Sequence, residues 1–483
     1  MRACHPDLPS CAAPRWVVTM AERNQPEAKG DLLEGTDPAE RACGVAEDRA
    51  DLEQARSEAK AKPAPQRPSK FRLGPGLITG AADDDPTAIG TYSIAGAQFG
   101  YQLLWLAPLG VPLMIAVQEM CGRAALVTSQ GLAAIIKQHY PRWVLYAALA
   151  LLVGPNIINV YADLNVMAAS MQMLFGLPFA LWLTVLTVAI VAAQIAIPYK
   201  HYVKVLKYAC LALLAYLVIA VLPQAHVHWG PALRGLVVPG WSSKRDYLLT
   251  VVGVLGTTIS PYLFFWQAGE QVEEDIAEGL TDDAGRRTRR VRASEIRSVR
   301  SDTAVGMIAS QVIAAAIIVS AAATLHASGQ TNINSAQDAA RALLPLGAAA
   351  YWLFGLGILG SGLLTVPTLG GSAAYAVSET LGWRNGLYRR FGRARGFYIT
   401  LAAVIAVGYA LNFARAISPL KALLYAAALN GLAAPPLIVL LLLICNNRKI
   451  MGKHTNGWLG NSVGGLTAGL MGLAAGVFLW VSL

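Results

Sequence analysis

The stretch Gly74-Pro-Gly-Leu-Ile-Thr-Gly-Ala-Ala-Asp-Asp-Asp-Pro-Thr-Ala-Ile-Gly90 sets three carboxylates and a proline in the middle of an otherwise apolar run. About 20 helical residues cross a hydrocarbon core of about 30 Å. At the centre of such a helix each of Asp83, Asp84 and Asp85 would cost about 2.5–3.5 kcal/mol, so their presence points to function rather than scaffolding. Pro86 cannot donate the intrahelical hydrogen bond and disfavours a helical Asp85 before it, which predicts a helix broken here. A break frees backbone carbonyls beside a carboxylate, and that is the ligand set of a hard cation. Asp85 is the leading direct ligand; Asp83 and Asp84 are expected in its surroundings or along its pathway.

A second interruption, Gly256-Thr257-Thr258-Ile259-Ser260-Pro261-Tyr262, sits near the centre of another apolar run. Two interrupted helices, one opening each half of a chain, predict an inverted-repeat transporter with its site between them. The composition agrees: of 483 residues 55% are hydrophobic and only 14% charged. Apolar runs cover 74–99, 101–127, 143–174, 176–197, 202–222, 247–269, 301–326, 340–380, 396–412, 417–445 and 461–482. The expected fold is therefore an all-α membrane protein of eleven transmembrane helices, in two inverted five-helix repeats of leucine-transporter type with helices 1 and 6 broken. The first repeat falls at 71–223, the second at 224–445 with a basic cytoplasmic loop at 271–300, and the eleventh helix within 446–483.

Lys and Arg favour cytoplasmic loops, and here they alternate. With the N-terminus inside, the inner loops take Arg123, Lys137 and Arg142, then Lys200, Lys204 and Lys207, then the run from Arg286 to Arg300. They also take Arg384, Arg389, Arg390, Arg393 and Arg395, and finally Arg448, Lys449 and Lys453. The outer loops keep few. The net charge of +10 thus reads as topology, and nothing indicates a nucleic-acid partner. Residues 1–70 have few large apolar side chains and are expected to form a disordered cytoplasmic tail. No apolar signal-peptide core follows the first basic residue, and Met20 is a candidate start. The expected location is a bacterial inner membrane, spanned many times with the N-terminus in the cytoplasm.

Other features carry less. The six cysteines show no CxxC spacing, so neither a disulfide framework nor a zinc site is indicated. His226 and His228 alternate in an outer loop, a spacing read as surface chance. Gln267, Glu270, Glu273, Glu274 and Asp275 read more readily as a solvated helix end balancing the following arginines than as an ion exit, although Gln267 and Glu270 are kept as pathway candidates. No Walker loop, nucleophile elbow or HExxH occurs where chemistry could use it. The chain is expected to be no enzyme, to need no cofactor and to have no ATP-hydrolysing subunit.

From Gly74 to Cys445 the sequence resembles the Nramp family of divalent-metal transporters. Asp85-Pro86 matches that family's Asp-Pro-Gly-Asn motif; Gln118, Arg123, Val127, Thr128, Gly131, Leu132 and Ala133 follow its second-helix pattern; Asp163-Leu164 matches its third helix. The departures are informative. Ala88 stands where the motif has Asn, and Ser260-Pro261-Tyr262 where the sixth helix has Met-Pro-His. A Met thioether favours softer transition metals, so its loss leaves an oxygen-lined, roomier site. Asp-Asp-Asp-Pro and the stretch Ser260 to Gln267 resemble the Nramp-related magnesium-transporter branch.

That resemblance implies Mg²⁺ as the first substrate and Mn²⁺ as the second, carried partly hydrated at a midplane site between the broken helices. The implied ligands are the Asp85 carboxylate, carbonyls or hydroxyls around Thr87, Ala88, Thr257 and Ser260, and the amide of Asn430, which takes the tenth-helix place of a family Gln. Family proton coupling uses the sixth-helix His and third-helix acids. Here the His is Tyr262, whose unperturbed pKa is near 10, and Asp163 lacks its partner because Val166 replaces Glu. Weak or absent proton coupling follows. The alternatives are a proton-coupled Mn²⁺/Fe²⁺ importer of ordinary Nramp type and a sodium-coupled organic-solute symporter.

Overall fold

Proline does not by itself interrupt a helix in this chain. Pro112, Pro155, Pro367, Pro435 and Pro436 lie inside continuous helices, whereas the helices stop at Asp85-Pro86 and at Ser260-Pro261. The difference lies in the residue before the proline. Asp85 (φ −70°, ψ 165°) and Ser260 (φ −86°, ψ 131°) are extended, and each begins a new helix with proline in its first turn.

The computed structural model describes residues 74–197, 214–221, 227–281, 287, 289–331, 348–413 and 419–482. Its helices are α1 (Pro75–Asp83), α2 (Pro86–Phe99), α3 (Leu106–Thr128), α4 (Leu132–His139), α5 (Arg142–Phe175), α6 (Phe179–Ala196), α7 (Leu214–Val221) and α8 (Trp229–Val237). They continue with α9 (Arg245–Thr258), α10 (Pro261–Ala277), α11 (Ala293–Ala321), α12 (Ala348–Leu381), α13 (Arg395–Leu411), α14 (Pro419–Asn446), α15 (Arg448–Met451) and α16 (Trp458–Ser482). Among the described residues the only β pairing is an isolated bridge between Thr281 and Arg287.

Counting α9 with α10 as one, eight stretches among the described residues are long and apolar enough to cross a membrane by length and composition. The expected helix at 202–222 is described only over Leu214–Val221, and the tail 1–70, the lysines 200, 204 and 207, and His226 lie outside the described residues. The stretch 271–300, expected as a loop, is helical at both ends, because α10 continues to Ala277 and α11 starts at Ala293. The Glu295 side chain, which bonds back to the Arg292 N–H at 2.9 Å, sustains the first turn of α11.

The broken pair α1–α2 is held against α11 by the absence of side chains. A Cβ on Gly80 would run into the Gly306 carbonyl, and one on Gly76 would meet the backbone of Thr303. The Asp302 carboxylate on α11 accepts from Gly76 N at 2.6 Å and Gly74 N at 3.2 Å, satisfying the free donors that begin α1. Gly256 in α9 lies equally close to the Ala427 carbonyl of α14. At these glycines both interrupted helices therefore meet the backbone of their neighbours directly. Gly80→Ala is expected to destabilise the protein by about 1–3 kcal/mol through overpacking. Gly472→Ala, on the open face of α16 where nothing lies within 4 Å, is expected to be neutral or slightly stabilising. Thermal unfolding of the two variants in detergent measures the difference.

Candidate ion site at two broken helices

Helix α1 ends at Asp83 and α9 at Thr258, so the last carbonyls of both point into the break. The starts of α2 and α10 bring N–H groups instead. Asp85 occupies the N-cap of α2, its Oδ1 accepting from Ala88 N at 2.5 Å. Ser260 does the reverse job for α9: its hydroxyl donates to the carbonyls of Gly256 (3.0 Å) and Thr257 (2.8 Å). The two C-terminal ends supply negative potential where a cation would sit.

The neighbouring helices close around this centre. Tyr262, on the first turn of α10, donates to the Ala82 carbonyl at 2.7 Å and lies 3.4 Å from Asp85 Oδ2. Asp163 of α5 accepts from Thr87 N (3.1 Å) and Thr87 Oγ1 (2.7 Å), and from Thr365 of α12 at 3.4 Å. Ser310 of α11 donates to Asp83 at 2.7 Å, Ser361 of α12 donates to the Asp84 carbonyl, and Tyr92 and Thr258 share a hydrogen bond at 3.0 Å. Thus α1, α2, α5, α10, α11 and α12 all meet at one junction.

The electrostatics are one-sided. Asp83, Asp84, Asp85 and Asp163 are all buried, and among the described residues no Lys or Arg forms an ion pair with any of them. Both carboxylate oxygens of Asp84 and one of Asp83 have no hydrogen-bond partner. Burying charge without a partner is expensive. Among the described residues no three His, Cys, Asp or Glu side chains form a metal cluster, so an ion held here draws on carbonyl and amide oxygens beside its carboxylate. None of the residues at either break carries sulfur or imidazole.

Of the expected ligands, the structure brings together Asp85, Thr257, Ser260 and the surroundings of Asn430. Asn430 follows the α14 turn that touches Gly256, and both polar atoms of its amide, like Thr257 Oγ1, are buried without a partner. Thr87 and Ala88 are placed differently from the expectation. The Thr87 hydroxyl is given to Asp163, its carbonyl accepts from Thr91 Oγ1, and the Ala88 N–H is given to Asp85. At the start of a helix the carbonyls point along α2, away from the break. Upstream of the break, the Ala82 carbonyl accepts from Tyr262 Oη.

Asp83 and Asp84, expected in the surroundings of Asp85 or along its pathway, are fully enclosed. One further expectation changes. The acidic end of α10 is not solvated: Gln267, Glu270, Glu273 and Asp275 are at most 5% exposed. Glu273 accepts from Tyr375 Oη (2.7 Å) and the N–H groups of Leu387 (2.6 Å) and Tyr388 (3.2 Å), and Asp275 pairs with Arg287 at 2.5 Å. Gln267 packs at Gly122 of α3, seven residues or about 10 Å along the helix from Ser260. Ser310, Ser361 and Thr365 were not foreseen; small polar residues inside apolar helices are the signal that could have found them.

Comparison with known proteins identifies the family. The family model described as natural resistance-associated macrophage protein-like (Nramp) matches residues 76–481. The chain is 27% identical over 392 residues to a divalent metal cation transporter MntH of Chromohalobacter salexigens, covering 80% of this chain and 85% of that one. It is 26% identical to the protein of the same name from Vibrio campbellii, over 85% and 92% of the two chains. Against the Brucella suis protein of that name, identity is 28% over 61% of this chain and 65% of the relative. A crystal structure of the Eremococcus coleocola manganese transporter superposes with a TM-score of 0.64 at 19% identity, covering 83% of this chain and 85% of that one. The fold is shared, and the chain belongs to the Nramp family.

Proposed function

We propose that this chain is a secondary transporter that carries hard divalent cations, Mg²⁺ first and Mn²⁺ second, through the junction of its two broken helices, with weak or absent proton coupling. As an Nramp protein it is a multi-pass divalent-metal transporter and not an enzyme. The observation that carries the finer reading is the set of four buried carboxyls without a basic partner, facing the carbonyl ends of two helices in a site free of sulfur and imidazole. Carboxylate, carbonyl and water oxygen suit Mg²⁺ and Mn²⁺, whereas thioether and imidazole suit softer metals. In this reading the ion is held by Asp85, the carbonyls of Ala82 and Thr257, and Asn430. Tyr262 reaches the Asp85 carboxylate directly, whereas Asp163 acts through Thr87, which it holds at the start of α2.

Asp85, Thr257, Ser260, Tyr262, Asp163 and Asn430 are all at or below 1% exposed. This arrangement is closed to water on both sides, so a partly hydrated ion enters only when α1 and α9 have moved. The Arg- and Lys-rich loops favour a cytoplasmic N-terminus in an inner membrane with eleven spanning segments. The ordinary proton-coupled manganese importer is the second reading, favoured by the names of the relatives. A sodium-coupled organic-solute carrier is disfavoured, because the junction presents carboxylates where an organic acid would need donors.

Three outcomes are expected in proteoliposomes. Asp85→Ala lowers Mg²⁺ and Mn²⁺ influx by about a hundredfold or more, as loss of one partner of a buried charge pair costs about 3–5 kcal/mol. Influx of Mg²⁺ leaves the luminal pH unchanged, and acidification that tracks metal uptake would return the chain to the proton-coupled class. Ser260→Met, which puts a thioether at the α9 break, shifts preference from Mg²⁺ toward Cd²⁺ in competition flux; an unaltered preference would mean that Ser260 does not face the ion.

A further inference from the structure

Away from the breaks, a groove of about 600 Å³ runs between α5 and α13, lined by Val153, Ile157, Ile399, Ala403 and Val407, with Trp383 and Gly396 at one end. The Trp383 ring lies directly over Gly396, where a Cβ would strike it. From Gly396 to Val407 the groove follows α13 for eleven residues, about 16 Å at 1.5 Å per residue. That is close to the depth of one leaflet's hydrocarbon, half of about 30 Å.

The two ends of the groove differ chemically. Gly408 packs against Val160, and Asn412 bonds to the Tyr161 carbonyl (3.3 Å) and to Asn165 (2.8 Å), so α5 and α13 run in the same direction. Both therefore begin at the Trp383 end. There, Arg384, Arg390, Arg393 and Arg395 cluster in sequence, and no acidic residue occurs between Leu381 and Leu411. Arg390 and Arg395 are exposed, as is Arg142 at the start of α5. Trp143 is 73% and Tyr146 56% exposed beside it, a placement typical of aromatic side chains at the membrane–water boundary. One end is thus cationic, carries two helix N-termini and is ringed by interfacial aromatics; the rest is apolar to a leaflet's depth.

We propose that this groove binds an anionic phospholipid of the leaflet facing the arginine-rich loops, with one acyl chain along α13 and the phosphate at Arg390 and Arg395. Basic pockets between membrane helices select anionic headgroups for the same electrostatic reason. A zwitterionic lipid fills the apolar part equally well but gains little from the guanidiniums. The groove lies on the outer surface of α5, the helix whose Asp163 holds Thr87, so an occupant would brace that helix from the lipid side.

The test is lipid titration of the full chain by native mass spectrometry, with phosphatidylglycerol and phosphatidylcholine of identical chains. The expected result is tighter binding of phosphatidylglycerol, on the order of tenfold. Arg390→Gln with Arg395→Gln should erase that preference, and Ala403→Trp, which fills the groove, should displace the bound lipid. Unfolding temperatures in phosphatidylcholine should match wild type for both variants, so that loss of lipid is not loss of fold. Equal binding of the two lipids by wild type, a preference that survives the arginine variants, or full competition by chain-free glycerol phosphate would each overturn the proposal.

Discussion

The rest of the structure depends on keeping several carboxyl groups inside an apolar bundle with no basic side chain among the described residues to neutralise them. Asp83, Asp84, Asp85 and Asp163 are enclosed, and the partners they find are hydroxyl and backbone N–H groups: Ser310 for Asp83, Ala88 N for Asp85, Thr87 for Asp163. Such bonds make burial tolerable but do not cancel charge. A fold that keeps acids in this state is organised to receive a cation, and each broken helix turns its carbonyl end to the same place.

Glycine contacts at the edge of the junction make this arrangement possible. The approach of Gly80 to Gly306 and of Gly256 to Ala427 brings backbone onto backbone, so at these points α1 and α9 rest directly on α11 and α14. Farther along, α10 is pinned by polar bonds: Glu273 to Tyr375 and the 387–388 backbone, Asp275 to Arg287, and Arg287 onward to the Leu126 carbonyl and Glu295. On the same side Arg123 holds Glu119 together with the His454 carbonyl and Asn456, while Arg300 reaches Glu119 at 3.1 Å. The bundle is smooth around the two short helices and bonded at the end where its arginines gather.

Much of this was legible in the sequence because the decisive features are local. Three aspartates before a proline inside an apolar run, and a Ser-Pro inside another, declare both breaks without reference to anything distant. The direction of the carbonyls depends on where each helix ends: Thr87 and Ala88 follow the break and present N–H groups to it, while the Ala82 carbonyl lies in the last turn of α1 and accepts from Tyr262. The acidic end of α10 looked solvated because charge near a helix terminus usually is; its burial depends on Tyr375, Leu387 and Arg287, which are distant in sequence or belong to another element. Ser310, Ser361 and Thr365 escaped notice because an isolated hydroxyl in a membrane helix has no periodic signature. Five prolines within unbroken helices further show that proline alone is a poor guide: an extended capping residue before it makes the break.

The central claim is that one divalent ion binds between the carbonyl ends of α1 and α9 beside Asp85. Anomalous diffraction from crystals soaked in Mn²⁺ tests it most directly, since Mn²⁺ both scatters anomalously and suits an all-oxygen site. The account predicts a single strong intramembrane peak about 2–2.5 Å from Asp85, with the Ala82 and Thr257 carbonyls and Asn430 completing the oxygen shell. A peak at the acidic end of α10, or none in the bundle while Mn²⁺ binds in solution, would contradict it.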